Sequence, residues 1–208
     1  MSPPQHAMKQ NPTGPAHLIL DLSGAVLRAE RIVLTGLMTL LVLLILVNVV
    51  SRYTGRPIYW IDEASVYCVV WLCFVGASLM TRLRLDFAVS LLTDKLGPKS
   101  ARPVKLLAGF AVLIFGLAML AMCWIWLDPI GIARYGFDAK EYAANTFNFL
   151  YTEKTQTLEW PTWLLQTILP IFSATLSLHA IANLIEDLGL QPRRELPGLE
   201  LGNAEAVT

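Results

Sequence analysis

Charged residues are scarce in this sequence. Only 15% of its 208 residues are Asp, Glu, Lys or Arg, whereas ordinary soluble domains carry about 25%. Four long stretches contain none of these residues at all: Ile32–Ser51, Ala64–Thr81, Leu106–Leu127 and Trp160–Ile185. Because roughly 20 helical residues cross a hydrocarbon core of about 30 Å, each stretch is long enough to span a bilayer. The rest of the chain has too few polar residues to cover four such helices in water, which excludes a soluble globular protein.

Other features are also scarce, and each absence narrows the function. Cys68, Cys73 and Cys123 all lie in apolar stretches without metal-ligand spacing, so we expect packing residues and neither a metal site nor a cofactor. The formal net charge is zero, which gives no basic field for binding nucleic acid. No nucleophile with a neighbouring base, glycine-rich phosphate loop or cluster of intramembrane acids is present, so an enzyme is not predicted.

These patterns predict an all-α integral membrane protein with four transmembrane helices and short amphipathic helices lying on the membrane surface. The predicted spans are about 32–51, 58–81, 104–127 and 160–186, within a membrane domain of residues 18–188. Residues 1–17 lack the layout of a secretory signal, so the first span should be retained. Residues 1–17 and 189–208 are polar, contain proline or glycine, and are expected to be disordered.

Two segments outside the spans have helical periodicity. In His17–Arg31 the apolar stripe comprises Leu18, Leu22, Ala25 and Ala29, which indicates a short surface helix before the first span. After the second span, an apolar face including Leu85, Val89 and Leu92, with Asp86 on the polar side, predicts another interfacial helix. A plain solvated loop is the alternative for this second segment.

The only long loop connects the third and fourth spans, over residues 128–159. Its Asp138-x-x-Glu141 pattern resembles a helix-capping pair and predicts a short helix to about Tyr151. The loop is rich in aromatic residues, among which Tyr142 and Phe147 are candidate contacts for a periplasmic partner. Beyond it, Pro170 is expected to kink the fourth helix.

The basic residues predict the orientation in the membrane. If the N-terminus is cytoplasmic, 11 of the 16 lysines and arginines fall on the cytoplasmic side, as the positive-inside rule requires. Five tryptophans then mark the outer ends of the spans, as in an interfacial belt: Trp60, Trp124, Trp126, Trp160 and Trp163. Both termini are therefore predicted to be cytoplasmic.

The second span has one unusual face. Aromatic and polar residues recur on it at steps of three and four: Trp60, Glu63, Tyr67, Trp71, Phe74 and Ser78. This face is a candidate contact surface for another protein; ion coupling or catalysis is a further alternative. At the hairpin between the first two spans, local pairing of Arg52 or Arg56 with Asp62 or Glu63 is the structural interpretation, and we single out Arg52 with Asp62. The lone intramembrane His179 is interpreted as a packed imidazole.

This hairpin resembles a known family. The order of Asn48, Arg52 and Tyr53, then Trp60 and Glu63, then Trp71, Gly76, Ala77 and Asp86, is similar to the small membrane subunit, DctQ-type, of TRAP transporters. Pro161, Trp163 and Pro170 resemble the start of that family's fourth helix. The chain departs from the family in Arg-Leu-Arg-Leu before Asp86, where Gly-His is frequent, and in the length of its loop.

The resemblance implies a bacterial inner-membrane scaffold in a tripartite, sodium-coupled, secondary active importer. Its implied partners are a large DctM-type permease subunit, a periplasmic substrate-binding protein and membrane lipid, and the implied solute is a small carboxylate. Two alternatives remain open. One is a self-sufficient homo-oligomeric transporter that uses Glu63 as its coupling acid, and the other is the membrane anchor of a redox complex.

Overall fold

The computed structural model describes residues 15–85 and 98–192. Seven helices follow one another along these residues: α1 Pro15–Tyr53, α2 Trp60–Leu83, α3 Pro98–Leu127, α4 Pro129–Arg134, α5 Ala139–Thr146, α6 Thr162–Gln166 and α7 Ile168–Asp187. Four helical segments are long and apolar enough to cross a membrane, which confirms the all-α architecture with four spans. They lie in α1, α2, α3 and the combined α6 and α7.

The first helix is longer than the sequence indicates. Residues 17–31 continue into the first span without a break, so they do not form a separate surface helix. No proline follows Pro15 within α1, and its isolated Gly24 and Gly36 do not interrupt the backbone ladder. At 1.5 Å per residue, these 39 residues extend about 58 Å, nearly twice the thickness of the hydrocarbon core.

A tight turn joins α1 to α2. Gly55 has a φ of +71°, and the amides of Gly55 and Arg56 bond to the carbonyls of Arg52 and Ser51. This pair of hydrogen bonds is the Schellman arrangement, which needs a left-handed residue and therefore favours glycine. It reverses the chain so that α1 and α2 pack as an antiparallel hairpin.

The fourth span is the centre of the bundle. Of the most apolar stretch of this span 61% is buried, against 0% for the corresponding stretch of α1. Its buried apolar side chains recur along α7 at helical spacing: Ile168, Phe172, Leu176, Ala180 and Leu184. Because α7 packs against α1, α2 and α3, this last span holds the other three together.

The fourth span is also interrupted. α6 ends at Gln166 and α7 begins at Ile168, so the break falls at Thr167, one turn before Pro170. Proline has no N–H, so the carbonyl of Gln166 lacks the intrahelical donor that residue 170 would otherwise supply. The sequence predicted a disturbance of the helix at Pro170, and the break lies three residues before it, next to the carbonyl that proline leaves without a donor.

Candidate functional site

The unusual face of α2 packs on this chain's own fourth span. The indole Nε1 of Trp71 donates to the carbonyl of Leu165 at 2.9 Å. Further along, the rings of Phe74 and Phe172 lie 5.1 Å apart, and Ser78 Oγ bonds to Thr175 Oγ1 at 2.8 Å. Ser78 is fully buried. These three residues of the predicted partner surface therefore have an intramolecular role in the structure.

The loop before the fourth span holds Glu63. Both carboxylate oxygens accept backbone hydrogen bonds, from the amides of Gln156, Thr157 and Leu158 at 2.8–3.0 Å. The hydroxyl of Thr157 donates a further bond at 2.5 Å. The loop is folded back on itself, with the Thr155 amide donating to the Trp160 carbonyl, which directs these donors towards α2. Glu63 thus anchors the loop between the third and fourth spans, which is predicted to be periplasmic, to the second span.

Two residues of the predicted surface, Trp60 and Tyr67, make no side-chain hydrogen bond or ring contact with other described residues. Trp60 is 45% exposed at the start of α2, and Tyr67 is half-buried two turns later. They lie on the same helix as the internal contacts described above. Trp60 and Tyr67 are therefore the residues of this face without a specific internal contact, whereas Glu63, Trp71, Phe74 and Ser78 bind α2 to the rest of the chain. Of these four, Ser78 is buried and the other three are partly exposed.

The predicted ion pair at the hairpin is present. Arg52 and Asp62 are joined at 2.7 Å, with their side chains 60% and 52% exposed. Asn48 connects the two, because its amide nitrogen donates to Asp62 and its oxygen accepts from Arg52 Nε. This triangle of side chains braces the ends of α1 and α2 across the turn.

The two loop residues singled out as periplasmic contacts have opposite environments. Tyr142 is 1% exposed, so it is a core residue of the loop and not a surface contact. Its hydroxyl donates to Asp128 at 2.9 Å, and its ring packs edge-on against Tyr135 and Tyr151. Burial and the bond to Asp128 raise the pKa of Tyr142. Phe147, by contrast, is 81% exposed.

Asp138 caps the short helix of this loop, as the sequence indicates, whereas its own amide bonds to the Tyr135 carbonyl. The carboxylate of Asp138 accepts from the amides of Glu141 and Lys140, and these bonds lower its pKa. The helix they open, α5, ends at Thr146 and not near Tyr151. Of the predicted interfacial helix after α2, Leu85 is described, whereas Asp86, Val89 and Leu92 lie outside the described residues.

The structure also contains a buried polar cluster that sequence reasoning missed. His179 is fully buried on α7, where Nδ1 bonds to Ser23 Oγ at 2.8 Å and Nε2 to Glu30 at 3.1 Å. The side of α1 that faces the protein is therefore Leu20, Ser23, Leu27 and Glu30. Leu18, on the apolar stripe of this segment, is 72% exposed. In a bilayer the apolar stripe can face lipid, and small or polar residues mark the helix interface.

A second set of buried charges joins α2 to α7. The guanidinium of Arg82 binds both carboxylate oxygens of Glu186, at 2.7 and 3.1 Å, and the amide oxygen of Asn183 at 2.6 Å. Both charged side chains are only 2% exposed. Arg84, the residue in left-handed conformation that caps the end of α2, bonds to Asp187 at 2.5 Å. The sequence did contain a signal for this cluster, because two arginines stand at the end of α2 and two adjacent acids stand at the end of α7.

Small residues allow α3 to approach α7 closely. A Cβ added at Gly116 would lie 2.5 Å from Ser177 Oγ, and one at Gly109 would lie 2.8 Å from Leu184. Cys123, seven residues after Gly116, bonds to Ser173 at 3.9 Å. The seven-residue spacing of Gly109, Gly116 and Cys123 places them on one face, and this spacing was a readable signal for the interface.

A comparison with known families covers the hairpin and the rest of the bundle. The family model described as "Tripartite ATP-independent periplasmic transporters, DctQ component" matches residues 41–190 of this chain. The chain belongs to the DctQ family. It is also similar to a TRAP transporter small permease protein of Haemophilus influenzae, with 28% identity over 109 residues, covering 52% of this chain and 68% of the relative.

Membership decides the class of this protein. A DctQ component is a transporter subunit and not an enzyme, so the Ser23–His179–Glu30 contacts of this DctQ-family chain belong to a transporter component. Together with the four apolar spans, membership supports a multi-pass protein of the bacterial inner membrane. The matched residues include the hairpin triangle, Glu63 and all of α7, whereas Ser23 and Glu30 precede the match.

Proposed function

We propose that this chain is the scaffold subunit of a tripartite, sodium-coupled TRAP importer, supporting a large DctM-type permease during uptake of a small carboxylate solute delivered by a periplasmic binding protein. The observation that carries the proposal is the set of hydrogen bonds to Glu63, whose carboxylate accepts from three backbone amides and one hydroxyl. An acid so engaged fixes a loop in place. Such a static role suits a scaffold.

The same contacts disfavour the self-sufficient transporter. A coupling acid must release and rebind its ion during each cycle, and ionisable residues with that role usually face a cavity or pathway near the midplane. Glu63 instead lies in the first turn of α2, with its oxygens directed to the adjoining loop. In the scaffold, transport is carried by the large subunit and Glu63 stays bound.

The contacts of His179 likewise disfavour a haem anchor. A histidine ligates haem iron through a ring nitrogen, but both nitrogens of His179 are within hydrogen-bond distance of Ser23 or Glu30. A visible absorption spectrum of the purified protein is expected to contain no haem band. A Soret band that is lost in His179→Ala would support the redox-anchor alternative.

The large permease is proposed to bind one exposed apolar side of α1 together with Trp60 and Tyr67. None of the most apolar stretch of α1 is buried, and Met38, Val42 and Val49 are exposed large side chains spaced along one side of it. In a membrane, an exposed apolar face contacts either lipid or another apolar helix. Trp60, at the hairpin end of this face, is an aromatic residue of the kind that is frequent in protein interfaces. The opposite side of the bundle, on α3, is assigned to lipid.

The orientation and the interfacial segment complete the proposal. Both termini are placed in the cytoplasm, which puts the majority of lysines and arginines there. The hairpin turn and residues 128–161 then face the periplasm, where exposed Phe147 is proposed to contact the substrate-binding protein. The segment Leu85–Leu96 is proposed to lie along the cytoplasmic surface as a brace.

Co-purification tests the scaffold role. The tagged full chain, solubilised from its native membrane, is expected to bring down a large polytopic protein. Trp60→Ala should reduce the recovery of that protein by more than half, whereas Trp124→Ala, an exposed tryptophan on α3, should not. Recovery of no large membrane partner with the wild-type chain would contradict the proposal.

Reconstitution separates the two transport hypotheses. Liposomes that contain the purified chain alone are expected to show no sodium-driven solute uptake, because the moving part is in the large subunit. Uptake by this preparation that is abolished in Glu63→Gln would establish the self-sufficient transporter instead.

A further inference from the structure

A groove runs along the hairpin end of α1. One stripe of the helix lines its floor, comprising Leu46, Val47, Val50, Ser51 and Thr54, and the hairpin turn closes it with Arg56 and Ile58. The groove has a volume of about 410 Å³. Three of its apolar side chains, at positions 46, 47 and 50, are 48–60% exposed.

The polar groups of the groove are not equally available. Ser51 Oγ donates to the Asn48 carbonyl, and Thr54 Oγ1 donates to the Val50 and Ser51 carbonyls. Their hydroxyl protons are therefore used within the helix. Arg56 is exposed, and within the described part of the chain its guanidinium has neither a hydrogen-bond nor an ion-pair partner. One cation thus stands at the end of an apolar trough.

The neighbouring arginine shows that this availability is particular to Arg56. Arg52 lies four residues earlier and is neutralised by Asp62 at 2.7 Å, with Asn48 completing the triangle. Of the two arginines at this turn, one braces the hairpin and the other is free to attract an anion. The free one is the arginine that lines the groove.

We propose that this groove binds one phospholipid, with an acyl chain along Leu46, Val47 and Val50 and the phosphate on Arg56. The lining has the same layout as the ligand, since it is apolar over its length and cationic at the membrane-surface end. From Leu46 to Thr54 the floor extends about 12 Å at 1.5 Å per residue, close to the roughly 15 Å of hydrocarbon in one leaflet. The guanidinium offers a planar fork of donors that suits phosphate oxygens.

A photoreactive lipid tests the site. The full chain is reconstituted in nanodiscs of phosphatidylethanolamine that contain phosphatidylglycerol with a diazirine in its acyl chain, and the labelled peptides are identified by mass spectrometry. The peptide that carries Leu46 and Val50 should be labelled more strongly than the one that carries Ile114 and Phe115, which are equally exposed residues of α3. Those α3 residues report contact with bulk lipid.

Two variants identify the headgroup contact. Arg56→Gln should lower labelling of the groove peptide about fivefold, which is the effect expected from removing one cation near a membrane surface. Val50→Trp, which fills the groove without changing charge, should lower it as well. The matched control is Arg134→Gln, which removes another exposed arginine and should leave labelling unchanged.

The outcomes decide between three occupants. Equal labelling of the groove and α3 peptides, or labelling that is insensitive to Arg56→Gln, would overturn the proposal in favour of bulk lipid. If groove labelling is lost when the chain is isolated together with its membrane partners, the occupant is a protein and the lipid site is refuted. Selective, Arg56-dependent labelling in both preparations supports a bound phospholipid. This inference does not depend on the scaffold function.

Discussion

The two ends of the bundle hold their helices together with similar chemistry in opposite environments. At the hairpin end, Arg52 and Asp62 form an ion pair with more than half of each side chain exposed. At the other end, Arg82 and Glu186 form a bidentate pair with 2% of each side chain exposed. Exposed pairs contribute about 0–1 kcal/mol, whereas breaking a buried pair costs about 3–5 kcal/mol. The buried end is therefore the fixed end, and the hairpin end is held by weaker interactions.

The largest expected effect comes from breaking the buried pair. Arg82→Met leaves Glu186 and Asn183 without their principal partner, so we expect a loss of about 3–5 kcal/mol in the free energy of unfolding. The measurement is reversible unfolding of the detergent-solubilised chain by titration with SDS. The double variant Arg82→Met with Glu186→Met should recover part of the loss, because no uncompensated charge then remains at that position. A single-variant loss below about 1 kcal/mol would remove the contrast between the two ends.

The next effect tests whether α3 is part of the fixed unit. Gly116→Ala places a methyl group 2.5 Å from Ser177 Oγ and 3.4 Å from its backbone nitrogen, so overpacking should destabilise the bundle by about 1–3 kcal/mol. Gly36→Ala is the control, because a Cβ there has nothing within 4 Å. It should be neutral or slightly stabilising, since alanine favours helix. Equal effects in the two variants would show that the close approach of α3 to α7 does not contribute.

A smaller and local effect is expected at the hairpin end. Glu63→Gln replaces one acceptor oxygen by a donor group and removes the negative charge, which weakens the bonds from Gln156, Thr157 and Leu158. Hydrogen exchange of these three amides should accelerate severalfold, while the amides of α7 remain protected. Asp62→Asn, at the adjacent position, should leave them unchanged. Acceleration throughout the bundle would indicate that the hairpin end is as integral as the other.

The smallest effect is expected for the exposed pair. Arg52→Ala should change the free energy of unfolding by no more than about 1 kcal/mol, because two water-accessible side chains lose little when they separate. The same SDS titration measures it, and added salt should abolish most of the difference. A loss as large as that of Arg82→Met would reverse the ranking of the two ends.

What could be predicted from the sequence differs between these regions for a physical reason. The four spans, the Arg52–Asp62 pair and the Asp138 cap depend on local spacing, and all are present in the structure. Periodicity also identified the face from Trp60 to Ser78, but it could not tell which neighbour covers a face. Half of that face contacts this chain's own fourth span, through Trp71, Phe74 and Ser78.

The missed contacts involve residues that are far apart in the chain. Ser23 and Glu30 meet His179 across about 150 positions, and Arg82 meets Glu186 across 104. The apolar stripe of residues 17–31 was interpreted as the lipid-facing side of a separate surface helix, and local periodicity could not show that the opposite side packs on α7. In a bilayer the solvent is itself apolar, so the side with Ser23 and Glu30 turns inwards.

The central position of α7 has a consequence for how this chain is made. Ribosomes deliver the spans to the membrane in order, and the partner of Glu30, Arg82 and Ser78 in each case lies on the last of them. Until α7 emerges, those polar groups have no native partner, and each is costly to leave unsatisfied in hydrocarbon. The first three spans therefore cannot complete their native contacts until the fourth span is inserted. A nascent chain halted before residue 168 should be recognised by membrane proteases as unfinished, even though three of its four spans have been synthesised.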